Sequence, residues 1–286
     1  MKILITGVAG FIGSNLARML CKTGQQVIGI DDLSQGLEEQ VPDGVDLYSD
    51  DIRAKIIYKL FTDVDVVFHL AAKNCITECE QQLSETFSVN VDGSVNVFQA
   101  AIKAGVAKVV YASSSAVYGP STNYGESKKK MELFADAFSM CWKTTFTGLR
   151  YFNVYGRNQD RRRKVPPLMV ALYDKMKNGE RPIIYGTGEK RRDFIHMDEV
   201  NAFHLLCLKK TGNKIFDIGT GKNHSVMEVY TGLAKLMGGK SPIHKPDFSE
   251  EAQETLADTT AARALGWKPV VSLDEGLRTF VNSQRG

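Results

Sequence analysis

The 286-residue chain has little of what marks a secreted, membrane-bound or nucleic-acid-binding protein. Its opening Met-Lys-Ile-Leu-Ile-Thr meets Gly7 too soon for a signal-peptide core or a membrane span, so a soluble cytoplasmic protein with no membrane partner is expected. A net charge of only +3 gives no reason to expect a nucleic-acid partner. Five cysteines are few and odd in number, and Cys21, Cys141 and Cys207 fall in apolar, helix-like stretches; reduced thiols are therefore expected. Cys75 and Cys79 have no second cysteine or histidine pair at ligand spacing, so no metal is expected.

What is present is enough apolar residue, 43%, to bury a full core. Short β-branched runs at Lys2 to Thr6, Gln26 to Asp31, Val45 to Tyr48, Val64 to Leu70, Lys108 to Ser113 and Phe146 to Phe152 alternate with helix-length amphipathic stretches. That alternation predicts βαβ units and a parallel, doubly wound α/β Rossmann sheet. After residue 160 prolines at 166, 167, 182, 242 and 246 change the texture, with helices expected at 166–178, 225–237 and 272–283. The expected organisation is a nucleotide-binding domain over 1–160, rejoined by a helix and a strand within 193–220. A smaller, discontinuous substrate lobe takes 161–192 and 221–286. Basic residues cluster at Lys128 to Lys130, Arg161 to Lys164 and Lys190 to Arg192, and the last two runs flank a candidate phosphate-binding segment.

The first strand runs into Gly7-Val8-Ala9-Gly10-Phe11-Ile12-Gly13 and then a helix with Ile12, Leu16, Met19 and Leu20 on one face. Glycine suits so tight a turn, and the missing side chains let a phosphate approach the helix N-terminus, where free N–H groups and the dipole favour an anion. The second strand ends at Asp31-Asp32, where a carboxylate can accept both ribose hydroxyls of a dinucleotide and would repel a 2′-phosphate, so NAD is expected over NADP. Asp51-Ile52 after the third strand is placed to bracket an adenine ring, with an acidic turn as the alternative.

Tyr124-Gly125-Glu126-Ser127-Lys128 puts a phenol and an ammonium four residues apart on one side of a helix. A tyrosine acting as a base near neutrality needs its pKa lowered by roughly three units, or about 4 kcal/mol, which a nearby lysine and a positive nicotinamide ring can supply together. With the Gly-x-x-Gly-x-x-Gly turn, these residues resemble the extended short-chain dehydrogenase/reductases, in particular the nucleotide-sugar 4-epimerase and dehydratase group, over nearly the whole chain.

The resemblance implies roles for further residues. Ser114, three before Val117-Tyr118-Gly119, would donate to the substrate oxygen and relay its proton. Lys128 would also hold the nicotinamide ribose. His69-Leu70-Ala71-Ala72 would lie beside the cofactor, with no chemical role given to His69, and Asn90 would sit near the nicotinamide. Lys73 would line the sugar pocket. In Arg150-Tyr151-Phe152-Asn153, Tyr151 would lie near the nicotinamide and Asn153 would contact the substrate phosphates. Val165 would open the uridine loop, Tyr185 would stack on the base, and Arg192 would bind the diphosphate.

Family members that dehydrate or decarboxylate their sugar carry acids just before the Val/Leu-Tyr-Gly motif; here those positions are Ser115 and Ala116. An NAD-dependent nucleotide-sugar 4-epimerase, acting on a UDP-hexose or UDP-N-acetylhexosamine, is therefore expected. A dehydratase or decarboxylase of the same family, or a non-catalytic NAD sensor, are the alternatives. Three departures stand out: only nine residues separate Ser114 from Tyr124, Phe248 replaces a diphosphate-binding arginine, and Thr255 occupies the position that gates N-acetyl sugars without deciding between them. Met131, Leu133, Phe134 and Phe138 offer an apolar surface for a homodimer.

Overall fold

A computed structural model describes residues 1–163, 165–209, 211–247 and 252–284. The chain divides into two compact units, Met1–Arg150 with Asn201–Phe216, and Tyr151–Val200 with Asp217–Gly286.

In the first unit, β1 (Lys2–Thr6) leads through the glycine turn into α1 (Phe11–Lys22), followed by β2 (Gln26–Ile30), β3 (Val45–Tyr48) and β4 (Val66–His69). Then come α2 (Ile76–Gln81), α3 (Leu83–Phe87), a π-helical turn at Ser88–Gly93, α4 (Ser94–Lys103), β5 (Lys108–Ser114), α5 (Asn123–Cys141) and β6 (Thr145–Tyr151). Past the boundary lie β7 (Asn153–Tyr155), α6 (Leu168–Lys177), β8 (Ile183–Tyr185), β9 (Arg191–Arg192), β10 (Phe194–His196), α7 (Met197–Cys207) and β11 (Lys214–Ile218). The chain closes with β12 (His224–Ser225), α8 (Val226–Met237), β13 (Ile243–Lys245), α9 (Thr260–Ala264) and α10 (Leu273–Ser283).

The seven-stranded sheet has the order β11-β6-β5-β4-β1-β2-β3. Its pairs from β3 across to β5 are parallel, with β1 between β2 and β4. The strand order therefore reverses between β1 and β4, the switch point at which doubly wound sheets bind nucleotides beyond the carboxyl ends of their strands. Valine, isoleucine and leucine fill these strands because helices cover both faces, which leaves four of the five residues in β1 and all four in β4 buried. On one face Phe98 of α4 packs edge-on against Phe146 at 5.0 Å and meets Tyr111 and Phe138. The second unit has its own core, in which α6, α8 and α10 close around Tyr155, Met169, Tyr173, Leu233 and Phe280.

Each strand expected in the first 150 residues is found with its ends shifted by at most two residues. Two readings need correction. The helix expected at the start of 193–220 is preceded by strand β10, because Phe194–His196 pairs with Asn153–Tyr155 before Asp198 and Glu199 open α7. The same pairing holds both strands in the second unit, so the division falls at Arg150 and the returning segment is Asn201–Phe216, not 160 and 193–220. On α5, Met131 belongs to the core, whereas Leu133 and Phe134 are exposed, together with Met140 and Trp142 near the helix end. No helix among the described residues is long and apolar enough to cross a membrane.

Candidate active site

Gly7 follows β1 with φ +72°, and a Cβ there would lie 2.7 Å from the Ala71 nitrogen at the end of β4. Only glycine lets the two strand ends approach so closely. A Cβ at Gly13 would fall 2.1 Å from the Gly7 carbonyl oxygen, so that glycine seats the first turn of α1 on the loop. By contrast a Cβ on Gly10 would meet nothing nearer than 3.3 Å, which leaves that side of the turn open. Helix α1 has no side-chain cap and no acid in its first turn. Its leading N–H groups, on Phe11, Ile12 and Gly13, are thus left to a ligand, and an anion is the ligand they favour.

Asp31 is buried behind this turn, and burial pushes its carboxyl pKa up, partly offset by backbone bonds from Leu33 and Ala9. The Ala9 N–H donates to Oδ2 and the Leu33 N–H to Oδ1, both at 2.9 Å. Each oxygen retains a lone pair for a ribose hydroxyl, so one carboxylate can tie the glycine turn to the nucleoside. Asp32 is exposed and accepts from the Ser34 backbone and hydroxyl. Glycine turn, uncapped helix and buried carboxylate together fit the pyrophosphate and adenosine ribose of NAD. At Asp51 the carboxylate is clasped by the Arg53 guanidinium, which holds its pKa low, and the Ile52 side chain is part of the core.

Beyond β4, partly buried Leu70, Ala71 and Ala72 lead to Lys73, whose backbone is gripped at both ends by Asn90. The Lys73 N–H donates to Asn90 Oδ1 at 2.8 Å, and Asn90 Nδ2 donates to the Lys73 carbonyl at 2.9 Å and to Ser127 Oγ at 3.0 Å. Asn90 lies in the π-helical turn, a widened turn of a kind often found at functional sites. Ser127 in turn donates to the Tyr124 carbonyl, so Asn90 links the β4 end to the first turn of α5. Lys73 Nζ donates to Gln82. His69 is fully buried between Thr6 and Ser94, and desolvation with the Lys128 charge lowers its pKa to about 3. It is a neutral packing group.

The catalytic candidates converge at the end of β5. Ser114 ends the strand, and its hydroxyl accepts the Ala116 N–H at 3.2 Å. Thr122 caps α5 through the Gly125 N–H, which starts the helix at Asn123 and places Tyr124 in its first turn. Lys128 is 3% exposed; its Nζ donates to the Ala112 carbonyl of β5 at 2.7 Å and lies 5.8 Å from the Tyr124 ring centroid. Desolvation lowers its pKa to about 8, resisted by Cys79 and Glu132. An ammonium fixed beside a phenol favours the phenolate, so this arrangement can exchange a proton with an alcohol oxygen.

The expected substrate residues all lie in the second unit, apart from Lys73 and Ser114. Asn153 and Val165 are exposed, and Tyr185 ends β8 at 42% exposure. Arg192 Nη1 donates to the Arg191 carbonyl at 2.9 Å, and Tyr151 is buried at the end of β6. The Asn153 N–H donates to the Asp193 carbonyl, and the fully buried Asp193 carboxylate accepts from Thr220, Gly221 and Ala257. Sequence reasoning passed over that anchor, although Asp193 stands next to the arginine it singled out. It also passed over Ser127 and Glu132, the latter signalled only by its spacing of four from Lys128. The two basic runs that flank the candidate phosphate-binding segment carry partners: Lys190 pairs with Asp247 at 2.6 Å, Arg161 with Asp174 and Arg163 with Asp160. Lys164 and the segment Phe248 to Glu251 lie outside the described residues. No group of three or more metal-binding side chains is found among the described residues, and all five cysteines are free thiols.

The chain is 31% identical to the UDP-glucose 4-epimerase of Mycolicibacterium smegmatis, across 98% of this chain and 97% of that one. Its structure superposes with a TM-score of 0.96 on the Thermotoga maritima UDP-glucose 4-epimerase with UDP-glucose, at 32% identity over 100% and 99% of the two chains. The Thermus thermophilus UDP-glucose 4-epimerase in complex with NAD gives a TM-score of 0.93 at 28% identity, again over 100% and 99%. Residues 3–219 match the NAD dependent epimerase/dehydratase family, and the chain belongs to that family.

Proposed function

We propose that the protein is an NAD-dependent 4-epimerase of nucleotide sugars, interconverting a UDP-hexose or UDP-N-acetylhexosamine with its C4 epimer through a transient 4-keto sugar. The observation that carries the reading is the buried Lys128 ammonium beside Tyr124 at the carboxyl edge of β5, in a chain with serine and alanine at 115 and 116.

Gly7, Gly10, Gly13, Asp31 and the β4 end would hold the dinucleotide, and Lys128 its nicotinamide ribose. NAD held there would supply reversible hydride chemistry at C4. Tyr124 accepts the C4 hydroxyl proton as the keto group forms and returns it on reduction, Ser114 donates to the same oxygen, and Lys128 stabilises the phenolate. Without a carboxylate at 115 or 116, this loop supplies no acid to expel a leaving group. Retaining the intermediate while the sugar presents its other face requires the nucleotide diphosphate to carry most of the binding energy, a role for Asn153, Val165, Tyr185 and Arg192. UDP is favoured by the relatives named above.

Purified protein incubated with UDP-, dTDP- and GDP-hexoses and followed by NMR should convert a UDP-sugar to its C4 epimer. Loss of water or carbon dioxide would overturn epimerisation, and an unchanged rate in Tyr124→Phe would overturn the mechanism. A cytoplasmic homodimer belongs to the same reading, supported by free thiols and by Leu133 and Phe134 exposed on α5. Sedimentation showing only monomer at micromolar concentration would reject the dimer.

A further inference from the structure

Beneath the catalytic turn, a group of side chains spans three elements that the sequence does not connect closely. Glu132 lies on α5 one turn beyond Lys128 and is 9% exposed. Its Oε1 accepts the Ser113 hydroxyl at 2.5 Å and Arg150 Nε at 2.8 Å, and its Oε2 accepts Arg150 Nη2 at 2.6 Å. Arg150, from β6, spends its third nitrogen on Tyr118, donating from Nη1 to the hydroxyl at 2.5 Å, with its Cζ 4.8 Å from the ring centroid. Tyr118 belongs to the nine-residue connection between Ser114 and Tyr124 and is 59% exposed, yet both its ring face and its hydroxyl are engaged.

We propose that Glu132, Arg150 and Tyr118 are positioning residues for the reaction, a charged brace that fixes the Ser114 strand end, the Lys128 turn and the shortened loop against one another. The inference rests on the 4-epimerase reading for its kinetic test alone. Ser113 is the neighbour of Ser114, so the Glu132 carboxylate sets the last residue of β5 from behind. Tyr124, Lys128 and Glu132 follow at intervals of four on one helix face, so the carboxylate also places a negative charge near the buried ammonium. The groups facing Lys128 are Cys79 from α2, His69 from β4, and Tyr124 and Glu132 from its own helix. His69 is neutral, Cys79 and Glu132 both oppose the desolvation that lowers the Lys128 pKa, and Glu132 is the carboxylate among these groups. A loop this short gains definition from Arg150, since the bidentate pair with Glu132 orients the guanidinium that Tyr118 rests on.

The test compares wild type with Glu132→Gln, Glu132→Asp and Tyr118→Phe, reading kcat and KM from pH 6 to 10, melting temperature, and the Lys128 proton by NMR of 13Cε-labelled lysine. The Lys128 resonance is assigned by its loss in Lys128→Met. Glu132→Gln should lower kcat by about tenfold or more with KM changed about twofold or less, as expected for an interaction felt in the transition state. It should also move the alkaline limb of the kcat profile, and the Lys128 titration, to lower pH. Glu132→Asp should recover part of both. Tyr118→Phe, which removes one hydroxyl from a half-exposed side chain, should keep its melting temperature and lose about threefold in kcat. A folded Glu132→Gln with kcat, pH profile and Lys128 titration unchanged overturns the proposal. If that variant does not fold, an unchanged kcat in Tyr118→Phe overturns it. Should wild type fail to epimerise any sugar, the functional reading falls, and the NMR titration alone decides whether Glu132 holds the Lys128 charge.

Discussion

Replacing Lys128 by methionine should abolish turnover and at the same time change how stability depends on pH. The ammonium sits 3% exposed with its pKa lowered from 10.5 to about 8. Holding it charged in the fold costs about 3 kcal/mol relative to an unfolded chain in which it ionises freely. Methionine removes that cost but leaves the Ala112 carbonyl without its 2.7 Å donor, a loss of about 1–3 kcal/mol, so near pH 7 the variant should be about as stable as wild type. The decisive quantity is the slope. Between about pH 8 and 10.5 the folded lysine has lost its proton while the unfolded one keeps it, so the unfolded state binds more protons and wild type gains stability as pH rises. Relative to Lys128→Met that gain should reach about 1 kcal/mol at pH 9 and about 2–3 kcal/mol at pH 10. With a denaturant slope of about 2–3 kcal/mol/M, urea midpoints of the two proteins should separate by about 0.4 M between pH 7 and 9. A separation that stays flat over that range would refute the claim that Lys128 is charged and desolvated in the folded protein.

Acid should act in the opposite sense through two buried histidines. His69 and His204 are both held neutral with pKa values lowered to about 3 by burial, so below an unfolded pKa near 6.5 the unfolded chain takes up protons that the fold refuses. At pH 5 each should cost about 2 kcal/mol relative to pH 7.5, read as a lower urea midpoint that His69→Asn partly relieves. Gly7→Ala should strip the protein of NAD and lower its melting temperature, because φ is +72° and the new Cβ would sit 2.7 Å from the Ala71 nitrogen; normal NAD content after purification would contradict that packing. Asp193→Ala should destabilise the second unit by roughly 3 kcal/mol or more, since donors from Thr220, Gly221 and Ala257 lose a buried acceptor; circular dichroism melts that overlay wild type would show the anchor to be dispensable.

The parallel sheet was legible because its strands are bounded by glycine and helix signals and are apolar on both faces, as in Val66–His69. The glycine turn, Asp31 and the Tyr124 to Lys128 spacing were legible because each is local: a few consecutive residues carry the whole geometry. Asn90 gripping the Lys73 backbone was not, since 17 residues and two short helices separate the partners. Glu132 is four residues from Lys128, but the partner that explains it, Arg150, lies across a helix end and a strand. Tertiary pairing also overrode local propensity at Phe194, where a three-residue strand interrupts a sequence that otherwise reads as helix. The substrate lobe was the least legible part, because its strands of two or three residues carry no periodicity of their own.

The π-helical turn at Ser88–Gly93 has a consequence for how this protein can change. A π turn holds one residue more than the α-helical path needs, so the segment from Leu83 to Lys103 behaves as a helix carrying an insertion. Deleting one residue there would let the hydrogen-bond ladder heal into a regular helix, which is the locally easier conformation. It would also rotate everything before the deletion by about 100° against α4, the angle of one residue in a helix, and swing the Asn90 amide away from Lys73. The extra residue is thus a ratchet tooth. Single-residue deletions in this stretch exchange backbone comfort for the alignment of the β4 end with α5, whereas point substitutions leave that register where it is.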